Sequence, residues 1–181
     1  MRKKRKSLST TLVLNKMLFT NLAKYFSRLE STPSRNAMVE ILAELFKEAR
    51  ANEIDKIAYL LQGRVAPLFE PIEFGMADKM VAKALALAYG IPVDEVTNKF
   101  KKVGDIGQVA EELSNKVNKN NKVNKISDVF GKLQQITLAT GVGSVEIKVN
   151  LLSELLKESD SLSAKYIART PVDKLRLGFS D

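Results

Sequence analysis

Apolar residues in this chain return at intervals of three and four over most of its length, and glycine or proline stands where the periodicity stops, a pattern that admits helices and little else. Leu18, Leu22, Tyr25, Phe26 and Leu29 line one face of a helix over roughly 16–30. Met38, Ile41, Leu42, Leu45, Phe46 and Ala49 repeat the pattern to about Arg50. Thr32 is the predicted N-cap of that helix and Pro33 its first residue, so Ser34 and Arg35 fall in the first turn. Residues 53–62 and 77–89 make two more helices, closed by Gly63 and Gly90, because glycine takes the left-handed conformation that ends a helix at no steric cost. Pro92 restarts the chain to about Lys101, and Gly104-Asp105 precedes a helix that begins IGQVAEEL. Ile126, Val129, Phe130, Leu133 and Ile136 mark a helix ending at Gly141. Ser144 can cap the next, which carries Ile147, Leu151, Leu152, Leu155 and Leu156, and a last helix covers roughly 160–170. Pro171 has no N–H to offer a continuation.

Between these helices, NKVNKNNKVNK (115–125) repeats Val-Asn-Lys without a single acid and reads as a solvated loop. It divides the chain into expected lobes at about 16–114 and 126–181, preceded by a basic tail over 1–15. No segment alternates long enough to build a sheet, and nine or ten helices joined by short loops predict an all-α domain. Phe69 and Phe74 flank a turn at 67–75 and are expected to pack between the lobes. In Lys174-Leu175-Arg176-Leu177 polar and apolar residues alternate, so an extended backbone would put both cations on one face and both leucines on the other.

The charge of the chain narrows its partners. Lys and Arg number 29 against 21 Asp and Glu, a net +8. That balance favours nucleic acid, an anionic surface or an acidic protein. The excess sits in three clusters: Arg2 to Lys6; Lys116, Lys119, Lys122 and Lys125; and Lys165, Arg169, Lys174 and Arg176. The rest of the chain is net acidic. Cys and His are both absent, which removes disulfides, Cys/His metal sites, Cys nucleophiles and the Ser-His-Asp triad. A carboxylate magnesium site or a lysine nucleophile stays open in principle, but no tight Asp/Glu cluster is visible to hold a metal. No apolar run approaches the roughly 20 residues of a membrane helix, and the composition reads as globular with no membrane partner. Arg2 to Lys6 followed by Leu12-Val13-Leu14 begins like a signal peptide, but Asn15 and Lys16 cut the apolar stretch short. The tail is either an arm that adds non-specific affinity for DNA or an appendage without a role.

Two segments are candidates for holding an anion. Thr140-Gly141-Val142-Gly143-Ser144 sets two glycines before a helix N-terminus, where unpaired N–H groups and the positive end of the dipole attract a phosphate. An ordinary C-cap glycine followed by a Ser N-cap has the same spacing. Lys174 and Arg176 on one face of a short segment, with Gly178 leaving room for close approach, suit a strand backbone. They equally suit a solvated edge with the leucines inward. Arg35 at a helix N-terminus is oddly placed for the dipole, and an external phosphate would balance it. Eight Phe, four Tyr and no Trp, most of them on core periodicity, argue against a stacking platform for single strands.

The segments PIEFGMADKMVAKALALAYG (71–90), GDIGQVAEE (104–112), LATGVGS (138–144) and AKYIARTPVDKLRLG (164–178) together resemble, in order and spacing, the N-terminal DNA-binding domain of ATP-dependent DNA ligases of the archaeal and eukaryotic replicative type. The resemblance covers roughly 19–181. It implies a two-lobed all-α domain that grips the minor-groove backbone on both sides of a nick. It further implies phosphate contacts at Ser34 and Arg35, at Gly141, Gly143 and Ser144, and at Lys174, Arg176 and Gly178. Gly104, Asp105 and Gly107 match a family motif read as turn geometry. A cytoplasmic or nucleoid location in a prokaryote, or a nuclear one in a eukaryote, follows from the same resemblance.

The chain also departs from that family. The nucleotidyl-transfer signature Lys-x-Asp-Gly is absent, and Lys102-Val103-Gly104-Asp105 only scrambles its letters. No catalysis and no cofactor are therefore expected of this chain alone; ATP and magnesium would belong to a catalytic core in the same or a separate polypeptide. Asp173 stands where family members usually carry a small residue, and a capping box from Thr170 would turn it away from a phosphate. Some archaeal members place a sliding-clamp box with paired aromatics in the loop at 115–125; here it holds Asn, Lys and Val, which does not support clamp binding. The family domain continues beyond the position of Asp181, so the chain reads as C-terminally incomplete: a fragment, a split gene product or a domain cut from a longer protein. The alternative from another class is a helical scaffold that binds protein, its cations serving solubility alone.

Overall fold

The structure is a computed structural model and describes residues 17–117 and 124–179. Its helices are α1 (Phe19–Glu30), α2 (Arg35–Glu48), α3 (Ile54–Leu61), α4 (Asp78–Tyr89), α5 (Val93–Val103), α6 (Ile106–Val117), α7 (Ile126–Leu138), α8 (Ser144–Lys157) and α9 (Ser161–Arg169), followed by a single 3-10 turn at Thr170–Val172. The domain is all-α, as the periodicity predicts, and the described residues contain one isolated bridge, Leu18 to Lys125, and no strand. None of the described helices is long and apolar enough to cross a membrane. The basic tail at 2–6 and most of the Val-Asn-Lys loop lie outside the described residues, although α6 runs on through Val117, further than the expected lobe end at 114.

Helix ends follow from local chemistry, with corrections at two caps. Gly90 and Gly104 close α4 and α5 in the left-handed conformation at φ +67° and +72°. The predicted cap Thr32 instead donates its hydroxyl to Arg28 O at 2.6 Å, finishing α1. Ser34 caps α2, accepting from the Ala37 N–H at 3.4 Å. Gly143, not Ser144, is the N-cap of α8, and it does so without a side-chain acceptor. Asp160 caps α9 through the Ser163 N–H at 3.0 Å.

One continuous core runs through both expected lobes. It joins Phe26, Leu29, Leu45, Ile57, Leu85, Val109, Leu133, Leu152 and Ile167, among others. α9 lies against α6 and α1, and α8 against α4 and α7, so helices from the two halves of the sequence pack directly on one another. Phe74 is buried as expected, but Phe69 is 85% exposed. Its turn projects it outward, and the core closes without it.

Candidate nucleic-acid interface

The C-terminal basic cluster is anchored by a buried charge centre. Asp105, directly after the glycine that ends α5, accepts from the Gly107 N–H at 2.9 Å and so caps α6. The same carboxylate meets Arg169 of α9, whose Nε donates to Oδ1 at 3.1 Å and whose Nη2 donates to Oδ2. Arg169 also donates to Glu30 Oε1 at 3.0 Å and to Leu175 O at 3.2 Å. Glu30 takes a second and third donor, Lys165 Nζ at 2.9 Å and the Tyr166 hydroxyl at 2.7 Å. Burial by itself would raise both carboxyl pKa values, but the arginine, lysine, tyrosine and N–H donors outweigh it and hold Glu30 and Asp105 below the usual carboxylate range. Arg169 is 0% exposed. Counted in the sequence as one of a cluster of cations, it is an internal strut.

Gly107 has a role other than the turn geometry expected of it. A Cβ there would stand 2.6 Å from Arg169 Cγ and 2.7 Å from Lys165 O, so glycine is what lets α6 and α9 approach closely enough to form the charge pair. Gly104 does serve a turn, at φ +72°.

From this centre the chain turns outward. Asp173 and Arg176 both take positive φ, +54° and +61°, and so does Gly178 at +88°. The segment is therefore bent at three points and not the extended run expected, with the Leu175 carbonyl drawn inward to Arg169. The predicted sidedness survives: Leu175 and Leu177 are buried, while the Lys174 and Arg176 side chains are 45% and 49% exposed. Each cation is steered by a carboxylate. Lys174 Nζ lies 3.0 Å from Asp78 at the start of α4. Arg176 Nη1 lies 3.2 Å from Asp105, and its Nη2 donates to Gly104 O at 3.2 Å. Gly178 makes its close approach to protein, since a Cβ there would sit 2.6 Å from Met38 Cε. Thr170 does not form the expected capping box with Asp173; its hydroxyl donates to Tyr166 O at 2.8 Å.

That contact with Met38 joins the C-terminal segment to α2. Met38 is one turn along α2 from Ser34, joined to it by a backbone hydrogen bond of 3.0 Å, and Ser34 and Arg35 are exposed where α2 begins. The Ser34 Oγ lone pair is committed to the cap, which leaves the hydroxyl proton to donate elsewhere.

The third candidate is the loop before α8. Gly141 and Gly143 both have φ +81°, and Val142 between them is fully exposed. The Ser144 N–H turns back to Gly141 O at 3.2 Å, and the Glu146 and Ile147 N–H groups to Gly143 O at 3.1 and 3.2 Å. This is not the C-cap glycine and Ser N-cap that the spacing allowed: α7 ends earlier than expected, at Leu138 with Ala139 as its C-cap, Gly143 caps α8, and the N-terminus of α8 faces solvent. One turn further, Lys148 donates to Phe74 O at 2.6 Å and ties α8 to the loop before α4. Sequence reading missed Asp78, Glu30 and Lys148. An acidic residue opening a helix is visible in sequence for Asp78, but the cation it steers is 96 residues away.

Comparison with known proteins agrees with this architecture. The family described as "DNA ligase N terminus" matches residues 18–181. A "Probable DNA ligase" of Dictyoglomus thermophilum is 46% identical over 165 residues, covering 91% of this chain and 28% of that protein. A "DNA ligase" of Pyrobaculum islandicum is 37% identical over 172 residues, covering 91% of this chain and 30% of the relative. For a "DNA ligase 2" of Thermofilum pendens the identity is 40% over 173 residues, with 90% and 29% covered. The chain thus spans less than a third of the length of these relatives. By the extent of that match and by its all-α architecture, the chain belongs to the DNA ligase N-terminal family.

Proposed function

We propose that this chain is a non-catalytic, sequence-independent duplex-DNA-binding domain of an ATP-dependent ligase, gripping the minor-groove phosphate backbone around a nick during replication and repair. The observation that carries the reading is the 173–178 turn. Two half-exposed cations stand on a backbone pinned by buried leucines and by Arg169. Cations held in place lose little conformational freedom when a phosphate arrives, and contacts to phosphate carry no sequence information. Gly141, Gly143 and Ser144 add an N-terminal helix dipole on a separate loop.

Nucleotidyl transfer, with its ATP and magnesium, belongs in this reading to a catalytic core in the same or another polypeptide. The domain would work in the cytoplasm or nucleoid of a prokaryote, or in a eukaryotic nucleus. Anisotropy titration of a labelled nicked duplex at several salt concentrations tests the binding. Incubation with labelled ATP tests the catalytic half, and covalent AMP on the chain would contradict it.

A further inference from the structure

Val142 is fully exposed, more so than any other large apolar side chain among the described residues. The local backbone holds it there. The Ser144 N–H bond to Gly141 O closes a four-residue turn, and Gly143 at φ +81° and ψ −4° gives that turn the type II form, which sets Val142 on its outer corner. The turn opens α8, and α4 packs beside α8 in the same direction. Lys148 donates to Phe74 O, ahead of α4, at 2.6 Å, while Tyr89, the last residue of α4, donates to Leu156 O at 3.4 Å. Both helix N-termini therefore open at one end of the pair. Lys174 stands at that same end, 3.0 Å from Asp78.

We propose that Val142 packs on deoxyribose in the minor groove of a bound duplex and so selects DNA over RNA at that contact; the proposal rests on the DNA-binding reading above. From Leu138 to Ile147 the chain carries no Lys or Arg, and Glu146 adds a negative charge. No side chain of the tip can neutralise a phosphate. What a groove offers an apolar group is the carbon face of its sugars, which adjoin the phosphates that Lys174 is placed to meet. One valine on the corner of a tight turn is small enough for a groove about 6 Å wide. Ribose presents its 2′-hydroxyl in that groove, and a valine pressed against it would strip water from the hydroxyl without returning a hydrogen bond. Leu138 and Val145, exposed on either side of the turn in sequence, would suit a protein partner as well. The cation at the same end of the α4–α8 pair favours the nucleic acid.

Val142→Ala removes a side chain that the core does not use, so the variant folds as wild type does. Against a nicked DNA duplex it is expected to bind about fivefold more weakly with an unchanged salt slope, because an apolar contact releases no counterions. Selectivity is read with duplexes carrying a single ribonucleotide moved stepwise away from the nick. Wild type should lose about threefold or more in affinity where the ribose meets the tip, and Val142→Ala should lose that dependence on position. Equal affinity of Val142→Ala and wild type for DNA overturns the contact and leaves the tip to a protein partner. A weaker variant with a shallower slope overturns it too, since the tip would then be acting on a phosphate contact. Wild-type affinity that is the same at every ribonucleotide position refutes the selection of DNA. A wild-type chain that binds no duplex at all refutes the DNA-binding reading along with it.

Discussion

Arg169 and Asp105, 64 residues apart, form a charge pair at the contact of α9 with α6, at 0% and 3% exposure. Breaking such a pair from one side leaves the other charge buried and uncompensated. Asp105→Ala is therefore expected to lower unfolding stability by about 3–5 kcal/mol, read as a shift in the urea midpoint. The same substitution frees Arg176 from its anchor, so duplex affinity should fall even where the domain remains folded.

Two glycines in helices predict opposite outcomes. Gly107→Ala forces a methyl into Arg169 Cγ and the Lys165 carbonyl, and should cost about 1–3 kcal/mol. Gly131→Ala in α7 meets nothing within 4 Å and should stabilise by about 0.5–1 kcal/mol. Thermal melts of the two variants, one falling and one rising, check the close approach of α6 and α9 directly.

Acid should loosen the charge centre in a definite window. Glu30 and Asp105 have folded pKa values below their ordinary range, so their contribution to stability is complete above the unfolded value of about 4. It is lost as pH falls through the lower folded values. Urea midpoints measured between neutral pH and about pH 2 should drop in that window. In Asp105→Asn the drop should be smaller; an equal drop would place the acid sensitivity elsewhere.

Asp78 both steers Lys174 and competes with any phosphate for it. Asp78→Asn should change stability by less than about 1 kcal/mol, since the pair is solvent-exposed. Duplex affinity should rise by about two- to fivefold at low salt, because a repelling carboxylate leaves the phosphate path. A fall in affinity would mean that Asp78 orients Lys174 more than it competes.

Periodicity made the helices legible because each helix carries its own signal: Leu18 to Leu29 on one face, Gly90 at an end. Caps were less legible where two hydroxyls compete, as Thr32 and Ser34 do, since the winner depends on where α1 finishes. For the candidate site, sequence placed the cations and the inward leucines of the 173–178 turn. It did not show that Arg169 is buried, that Gly107 is a contact and not a hinge, or that Arg176 bends the backbone. The first two depend on partners 60 or more residues away, as the 62 to 64 residues between Gly107 or Asp105 and Arg169 illustrate, and the third on Arg169 itself being held inside. Asp105 was visible only as a residue preceding a helix and as part of a motif read as turn geometry.

The salt dependence of binding to a nicked duplex tests the central claim most directly. Contacts to about 4–6 phosphates predict a log-log slope of roughly −4 to −5, independent of sequence, with Lys174→Ala and Arg176→Ala each flattening it by about one unit. Binding that ignores salt, or a cation variant that alters sequence preference while leaving the slope intact, would contradict it.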